Sequence, residues 1–153
     1  MKVKEIMSPK VITINKTESI ADAARKMRDN DIGFLPVMAE GKVIGVVTDR
    51  DITCRGVTRE REPKDVRISD VMSPDAVWCH ANEEVSDAIR LMEGRQIRRL
   101  PVLDAQQNLV GMLSLGNVST HVPHELAGEA IEAISRPAPR PPAGRTEAGR
   151  TAA

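Results

Sequence analysis

Two stretches of the chain carry apolar residues at the spacing of one helix face. Each stretch follows a residue that suits a helix N-cap, Thr17 in one case and Asn82 in the other. Short runs rich in Val, Ile and Leu lie on both sides of each stretch and are typical of strands. The pattern therefore predicts the order strand, helix, strand, strand, helix, and predicts it twice. The apolar positions are Ile20, Ala23, Ala24 and Met27 in the first helix, and Val85, Ala88, Ile89 and Met92 in the second.

The two patterns are copies of one another. "IMSP" at 6–9 returns as "VMSP" at 71–74, "LPV" at 35–37 as "LPV" at 100–102, and "VIGVVT" at 43–48 as "LVGMLS" at 109–114. A unit of roughly 55 to 60 residues is too small to bury a sufficient core alone. We therefore predict an α+β fold in which two β-α-β-β-α units pack sheet to sheet about a pseudo-twofold axis. Such packing leaves two related clefts between the sheets.

The repeat also divides the chain. A charged, proline-containing linker separates the copies, and an apolar stripe after the second copy predicts a short C-terminal helix that docks on a neighbour. Gly56 is predicted to end the last helix of the first copy. The final residues are rich in Pro, Ala, Gly and Arg, and we expect them to be disordered. The predicted segments are copy 1 at 3–58, linker 59–65, copy 2 at 66–121, helix 122–135 and tail 136–153.

Composition narrows the partners. The chain has 153 residues, of which 41% are hydrophobic and 1% aromatic, with 22 basic and 22 acidic residues and a formal net charge of +0. This balance offers no long-range attraction for nucleic acid or for a membrane surface. No apolar run is long enough to span a bilayer, and the N-terminal residues do not form a secretory signal. We expect a cytoplasmic protein with two reduced cysteines, Cys54 and Cys79.

The stretch "GVVTDRD" at 45–51 has two readings. In the first, Thr48 caps a helix and the Asp51 carboxylate reaches back to the cap backbone, as in a capping box. In the second, the same carboxylate accepts the hydroxyls of a ribose while the start of the helix faces a phosphate. The two roles are compatible. The second copy has Ser114 and Asn117 at these places and lacks the negative charge.

The tandem pattern resembles a pair of CBS domains, the cystathionine β-synthase motif. "IMSP" opens each copy, "LPV" forms the middle strand and "GVVTDRD" enters the last helix, over about residues 3–120. The whole chain is similar to small stand-alone bacterial CBS-pair proteins, among them the hypoxic response proteins. The resemblance implies a regulatory, signal-transducing module that senses an adenosyl ligand such as AMP, ADP, ATP, NAD or S-adenosylmethionine. It also implies a homodimer. Some members of the family bind no nucleotide, or bind metal ions instead.

The resemblance also implies site residues. It places one ligand site in each of the two clefts, and the apolar residues expected in these sites are equally sensible as core residues. Arg98 and Arg99 are either solvated surface charges or contacts to a phosphate in one of the clefts. His121 and His124 are either surface histidines or half of a zinc site. The first site is expected to contain Ile12, Thr13, Pro36, Thr48, Arg50 and Asp51, and the second, weaker site Val77, Trp78, Pro101, Ser114 and Asn117.

No catalytic motif accompanies these residues. The chain has no phosphate-binding P-loop, no nucleophile elbow and no nucleophile with a placed base, so we expect a protein that is not an enzyme and requires no cofactor. The first hypothesis is an adenine-nucleotide sensor that signals through dimer shape or through an unidentified protein effector. The second is an interaction protein that uses the scaffold only to dimerise. The third is a metal-responsive stress protein.

Overall fold

The computed structural model describes residues 1–137. Residues 1–73 contain α1, β1, α2, β2, β3, α3 and α4, and residues 74–137 contain β4, α5, β5, β6, α6 and α7. The bounds in the first part are α1 Val3–Ile6, β1 Ile14–Asn15, α2 Ile20–Asn30, β2 Phe34–Ala39, β3 Lys42–Thr48, α3 Asp49–Asp51 and α4 Ile68–Val71. In the second part they are β4 Cys79–His80, α5 Val85–Arg95, β5 Arg99–Leu103, β6 Leu109–Ser114, α6 Leu115–His121 and α7 His124–Ser135.

The strands form two three-stranded sheets with the same topology. In the first sheet β1 lies parallel to β2, and β2 lies antiparallel to β3. The second sheet repeats this order with β4, β5 and β6. The predicted α+β fold of two related units with a C-terminal helix is therefore confirmed.

The predicted N-caps are wrong by two residues in both copies. The Oγ of Ser19 caps α2 by accepting the amide hydrogen of Asp22, at 3.2 Å. Thr17 is unavailable because its hydroxyl and amide both donate to Asn15 Oδ1 in the preceding turn. In the second copy Glu84, rather than Asn82, is the residue before α5.

The prediction that Gly56 ends the last helix of the first copy is wrong. After α3 the chain continues as a π-helical turn, Ile52–Gly56, and a 3-10 turn, Val57–Arg59, which ends at Glu60 in the left-handed region, φ 56°. A Cβ on the buried Gly56 would stand 2.8 Å from Ile20 Cδ1. Close packing on α2, rather than termination, explains the glycine.

The opening segments of the two copies are exchanged between the units. Ile68 and Val71, which precede the second sheet in the chain, belong to the core of the first sheet. Val3 and Ile6, which precede the first sheet, belong to the core of the second. The repeat boundaries seen in sequence therefore differ from the boundaries of the two packed cores.

Backbone pairing completes this exchange. Ser73 forms an antiparallel bridge with Val46 of β3, with N–O distances of 3.0 and 2.8 Å. Ser8 forms the equivalent bridge with Met112 of β6, at 2.9 Å in both directions. Gly45 permits the first approach, because a Cβ there would lie 2.6 Å from the Ser73 carbonyl oxygen.

The C-terminal helix α7 docks on α5 and α6, as the apolar stripe predicted. Ala127, Ala130 and Ile134 are buried in this contact. Of the predicted disordered tail, 138–153 lie outside the described residues. Within residues 1–137, no helix combines the length and the apolar character that a bilayer crossing requires.

Candidate functional site

Two clefts lie where the units meet, and we name them cleft A and cleft B. Cleft A has a volume of about 380 Å³ and cleft B about 220 Å³. Cleft A is lined by Phe34, Val46, Thr48, Asp51, Ser73, Asp75, Val77, Ile97, Arg98 and Arg99. Cleft B is lined by Ser8, Lys10, Val11, Ile12, Ile32, Phe34, Pro36, Arg99, Met112, Ser114 and Asn117.

Each cleft combines the helix start of one copy with residues of the other copy, including one that lies just before that copy's first strand. Thr48 and Asp51 share cleft A with Val77, whereas Ser114 and Asn117 share cleft B with Ile12 and Pro36. The predicted grouping into two sites is therefore wrong for Ile12, Pro36 and Val77. Because the opening segments are exchanged, the residues that follow them face the other copy's helix start.

Four further predicted site residues line neither cleft. The carbonyl of Thr13 instead accepts a hydrogen bond from Lys26 Nζ at 2.8 Å. Arg50 lies in a shallow groove near Cys54, and Trp78 is 41% exposed in a separate groove. Pro101 is buried within β5.

Asp51, which the sequence predicted in the first site, lines cleft A. Its Oδ2 accepts the Thr48 amide hydrogen at 3.0 Å, and the Thr48 Oγ1 accepts the Asp51 amide hydrogen at 3.1 Å. This reciprocal capping box fixes the carboxylate before any ligand arrives. Asp51 is only 9% exposed, although it is charged. A nearly buried carboxylate in a cleft requires a cationic partner or a polar ligand.

Arg55 is the cationic partner, and sequence reasoning missed it. Its Nη2 donates to Asp51 Oδ1 at 2.8 Å and to Ser73 Oγ at 3.2 Å. The signal was present, because an Asp and an Arg four positions apart meet on one helix face. Arg55 thus ties the Asp51 carboxylate to the exchanged segment that carries Ser73.

The second copy has an equivalent capping box, in which an uncharged asparagine takes the place of the aspartate. Asn117 Oδ1 accepts the Ser114 amide hydrogen at 2.9 Å, and Asn117 Nδ2 donates to Ser8 Oγ at 3.3 Å. Ser8 is the counterpart of Ser73, as the motifs "IMSP" and "VMSP" show. The amide therefore contacts the exchanged segment directly, where the Asp51 carboxylate needs Arg55 as a bridge.

Arg98 and Arg99 reach cleft A, and Arg99 also lines cleft B. Both arginines are exposed, and within residues 1–137 neither guanidinium has a hydrogen bond or an ion pair with the protein. The cleft therefore contains the fixed Asp51 carboxylate, a second carboxylate from Asp75, and two unengaged cations. A ligand with hydroxyl donors at one end and negative charge at the other matches this arrangement.

The histidine pair is not assembled into a metal site. His121 Nδ1 lies 2.8 Å from the Asn117 carbonyl oxygen, which turns the ring back onto α6. No group of three potential ligands from His, Cys, Asp and Glu occurs among the described residues. Cys79 is buried, and this burial, with Glu83 nearby, raises the pKa of its thiol to about 12.

The fold is a duplicated unit with two related clefts between its copies. Residues 3–55 and 68–124 both match the family described as CBS domain. The chain belongs to this family and is a CBS pair, a regulatory module.

Two relatives cover nearly the whole described chain. CBS domain-containing protein YhcV of Bacillus subtilis is 38% identical over 87% of this chain and 94% of its own length. Hypoxic response protein 1 of Mycobacterium tuberculosis is 28% identical over 88% of this chain and 94% of its own length. The similarity to hypoxic response proteins that the sequence suggested is therefore confirmed.

Solved structures of similar chains carry different ligands. The CBS domain pair of protein MJ0100, in complex with 5'-methylthioadenosine and S-adenosyl-L-methionine, has a TM-score of 0.69 and 26% identity over 84% of this chain and 98% of that one. CBSX2 in complex with AMP has a TM-score of 0.68 and 26% identity over the same shares. Hypoxic Response Protein I with two coordinated zinc ions has a TM-score of 0.72 and 28% identity over 80% of this chain and 100% of that one.

Proposed function

We propose that this protein is a sensor that binds an adenosyl compound in cleft A and is not an enzyme. One observation carries the proposal: the nearly buried Asp51 carboxylate is fixed by Thr48 in the same cleft that the unengaged Arg98 and Arg99 line. Chemically, this pairs an acceptor for a sugar diol with donors for a phosphate.

The three parts of a nucleotide find complementary walls in cleft A. Each Asp51 oxygen accepts one protein hydrogen bond, which leaves lone pairs for the two ribose hydroxyls. Arg98 and Arg99 supply positive charge for the phosphate. The base packs against apolar side chains of both copies, chiefly Val46 of the first copy and Val77 and Ile97 of the second.

The ligands of similar structures support this choice. AMP, 5'-methylthioadenosine and S-adenosyl-L-methionine share an adenosine unit, and they are found on two chains that resemble this one. Only AMP among them carries a phosphate, so the arginines of cleft A favour the nucleotides over the sulfonium compound. Zinc belongs in the same test, because a similar chain coordinates it.

A thermal-shift panel tests the proposal. We expect AMP, ADP, ATP or NAD to raise the melting temperature by a few degrees, since a ligand at one hundred times its Kd stabilises by about 2.7 kcal/mol. S-adenosylmethionine and zinc are included as competitors. If no adenosyl compound changes the melting temperature, the sensor proposal is refuted and the scaffold reading, in which the pair serves only to dimerise, takes its place.

Asp51→Asn is the decisive variant, because it places in cleft A the residue that cleft B already has. Loss of the charge-assisted hydrogen bonds is expected to weaken the ligand by tens of fold, as about 1.5–3 kcal/mol implies. Asn117→Gln is the control in cleft B, because it alters the corresponding position without adding a charge beside Arg99, and it should leave the affinity of cleft A unchanged. Equal affinity in Asp51→Asn and the unmodified protein would refute the assigned diol contact.

The output of the sensor is proposed to be a change of shape or of partner affinity. We expect a homodimer whose dissociation constant, or whose affinity for a protein effector, depends on the bound ligand. Light scattering after size-exclusion chromatography, with and without the ligand found by the panel, measures the first of these. A monomer under both conditions would exclude signalling through dimer shape.

A further inference from the structure

Cleft B differs from cleft A in the charge of its lining residues. Asp75 of cleft A has Lys10 as its counterpart in cleft B, as "MSPD" and "MSPK" show. Asp51 has the neutral Asn117 as its counterpart. No Asp or Glu lines cleft B within the described part of the chain, and two cations, Lys10 and Arg99, do. Cleft B is therefore purely cationic, whereas cleft A mixes both signs.

A single cation stands between the two clefts. Phe34 and Arg99 occupy the same place in "GFLPV" and "RRLPV", and both line both clefts. Residues related by the repeat that also share both clefts lie next to the pseudo-twofold axis. One of the pair is a cation and the other is not, so the molecule has one central charge for two sites.

We propose that cleft B is a separate anion site, suited to a phosphate-bearing ligand without need of a diol, and that it competes with cleft A for Arg99. Each cleft has one cation of its own, Arg98 in cleft A and Lys10 in cleft B. The Arg99 guanidinium completes whichever cleft holds an anion. Binding in one cleft therefore weakens anion binding in the other, and linkage makes the effect equal in both directions.

The first experiment tests cleft B alone, with inorganic pyrophosphate as the probe and calorimetry of the full chain as the measurement. Lys10→Gln and Arg99→Gln are each expected to weaken pyrophosphate by about tenfold to hundredfold, the effect of losing one charge-assisted hydrogen bond. Arg95→Gln removes an arginine that lines neither cleft, and should change nothing. Absence of pyrophosphate binding, or equal losses in all three variants, would overturn the anion site.

The second experiment tests the sharing of Arg99 and rests on the proposed function, because it uses AMP in cleft A. Rising pyrophosphate should increase the apparent Kd of AMP about tenfold to hundredfold and then reach a ceiling, since the two ligands occupy different clefts. Phe34→Arg supplies a second central cation and is expected to remove most of this increase. Phe34→Leu, which alters the same position without charge, should retain it.

The outcomes separate the two proposals. If AMP does not bind while pyrophosphate depends on Lys10 and Arg99, the adenosyl sensor fails and the anion site stands. If AMP binds but its apparent Kd climbs without a ceiling, both ligands use one cleft and the sharing is refuted. Should Phe34→Arg fail to fold, Lys10→Gln decides, because it must lower the potency of pyrophosphate against AMP and leave AMP alone unaffected.

Discussion

Replacing Gly45 by alanine tests the exchange of segments that creates both clefts. An added Cβ would lie 2.6 Å from the Ser73 carbonyl oxygen, 3.2 Å from Met72 Sδ and 3.4 Å from Pro74 Cα. The nearest atom belongs to the backbone, so the exchanged segment must move away from β3. That movement strains the two hydrogen bonds between Ser73 and Val46.

The expected cost is about 1–3 kcal/mol, the range for overpacking a well-packed site. For a domain of this size it corresponds to a fall in melting temperature of about 3–10 °C. Gly94→Ala is the matched control, because Gly94 lies within α5 with no atom within 4 Å of an added Cβ. There alanine should stabilise the helix by about 0.5–1 kcal/mol. In differential scanning calorimetry, the same Gly→Ala change is therefore expected to lower the melting temperature at position 45 and to raise it at position 94.

The same variant links stability to binding. Ser73 lines cleft A and contacts Arg55, so Gly45→Ala should also weaken the cleft A ligand. Gly111→Ala is the counterpart beside cleft B, where the first atom met is the flexible Met7 Sδ rather than the backbone. Two results would refute the close approach of the two segments: a Gly45→Ala protein as stable as the original, or a Gly45→Ala protein as stable as Gly111→Ala.

Three further predictions concern charge and thiol chemistry. Arg55→Gln leaves the Asp51 carboxylate, whose side chain is 12% exposed, without its cation, and should lower the free energy of unfolding by about 1 kcal/mol in urea titrations. Arg136→Gln, at an exposed ion pair, should have a much smaller effect, and equal effects would contradict the assignment of Arg55 as the partner of Asp51. Burial keeps the Cys79 thiol protonated, with a pKa raised to about 12, so at pH 8 a thiol reagent should modify the exposed Cys54 alone in the native protein and both cysteines in denaturant. Because the pKa of Cys79 in the folded protein lies above its pKa in the unfolded chain, its contribution to stability is present below pH 9 and is lost as the pH rises towards 12. If the melting temperatures of the unmodified protein and of Cys79→Ala change in parallel over that pH range, this prediction is contradicted.

The repeat in the sequence predicted the fold because local patterns determine each unit. The apolar periodicity gave both long helices, and the order of strands followed from the β-rich runs. The capping box of Thr48 and Asp51 was also predictable, since all its atoms lie within four consecutive residues.

The composition of each cleft was not predictable in the same way. Which copy Ile12 and Val77 face depends on pairing between segments far apart in the chain, and a linear repeat reads the same whether or not its opening segments are exchanged. The choice of Ser19 over Thr17 as cap depended on Asn15, which takes the Thr17 hydroxyl. Arg55 lies one helical turn beyond the repeated motif, so the repeat alone does not single it out.

The reciprocal placement of the opening segments also has a consequence for how the chain reaches its native state. Asn117 and Ser8, which meet beside β6, are 109 positions apart. During synthesis β6, which receives Ser8, emerges only after most of the chain, so the second core cannot be completed until then. The first core is drawn from residues 14–71 alone and can form earlier. Contacts of such long range slow the search for the native topology, and the first core is therefore expected to mature ahead of the second.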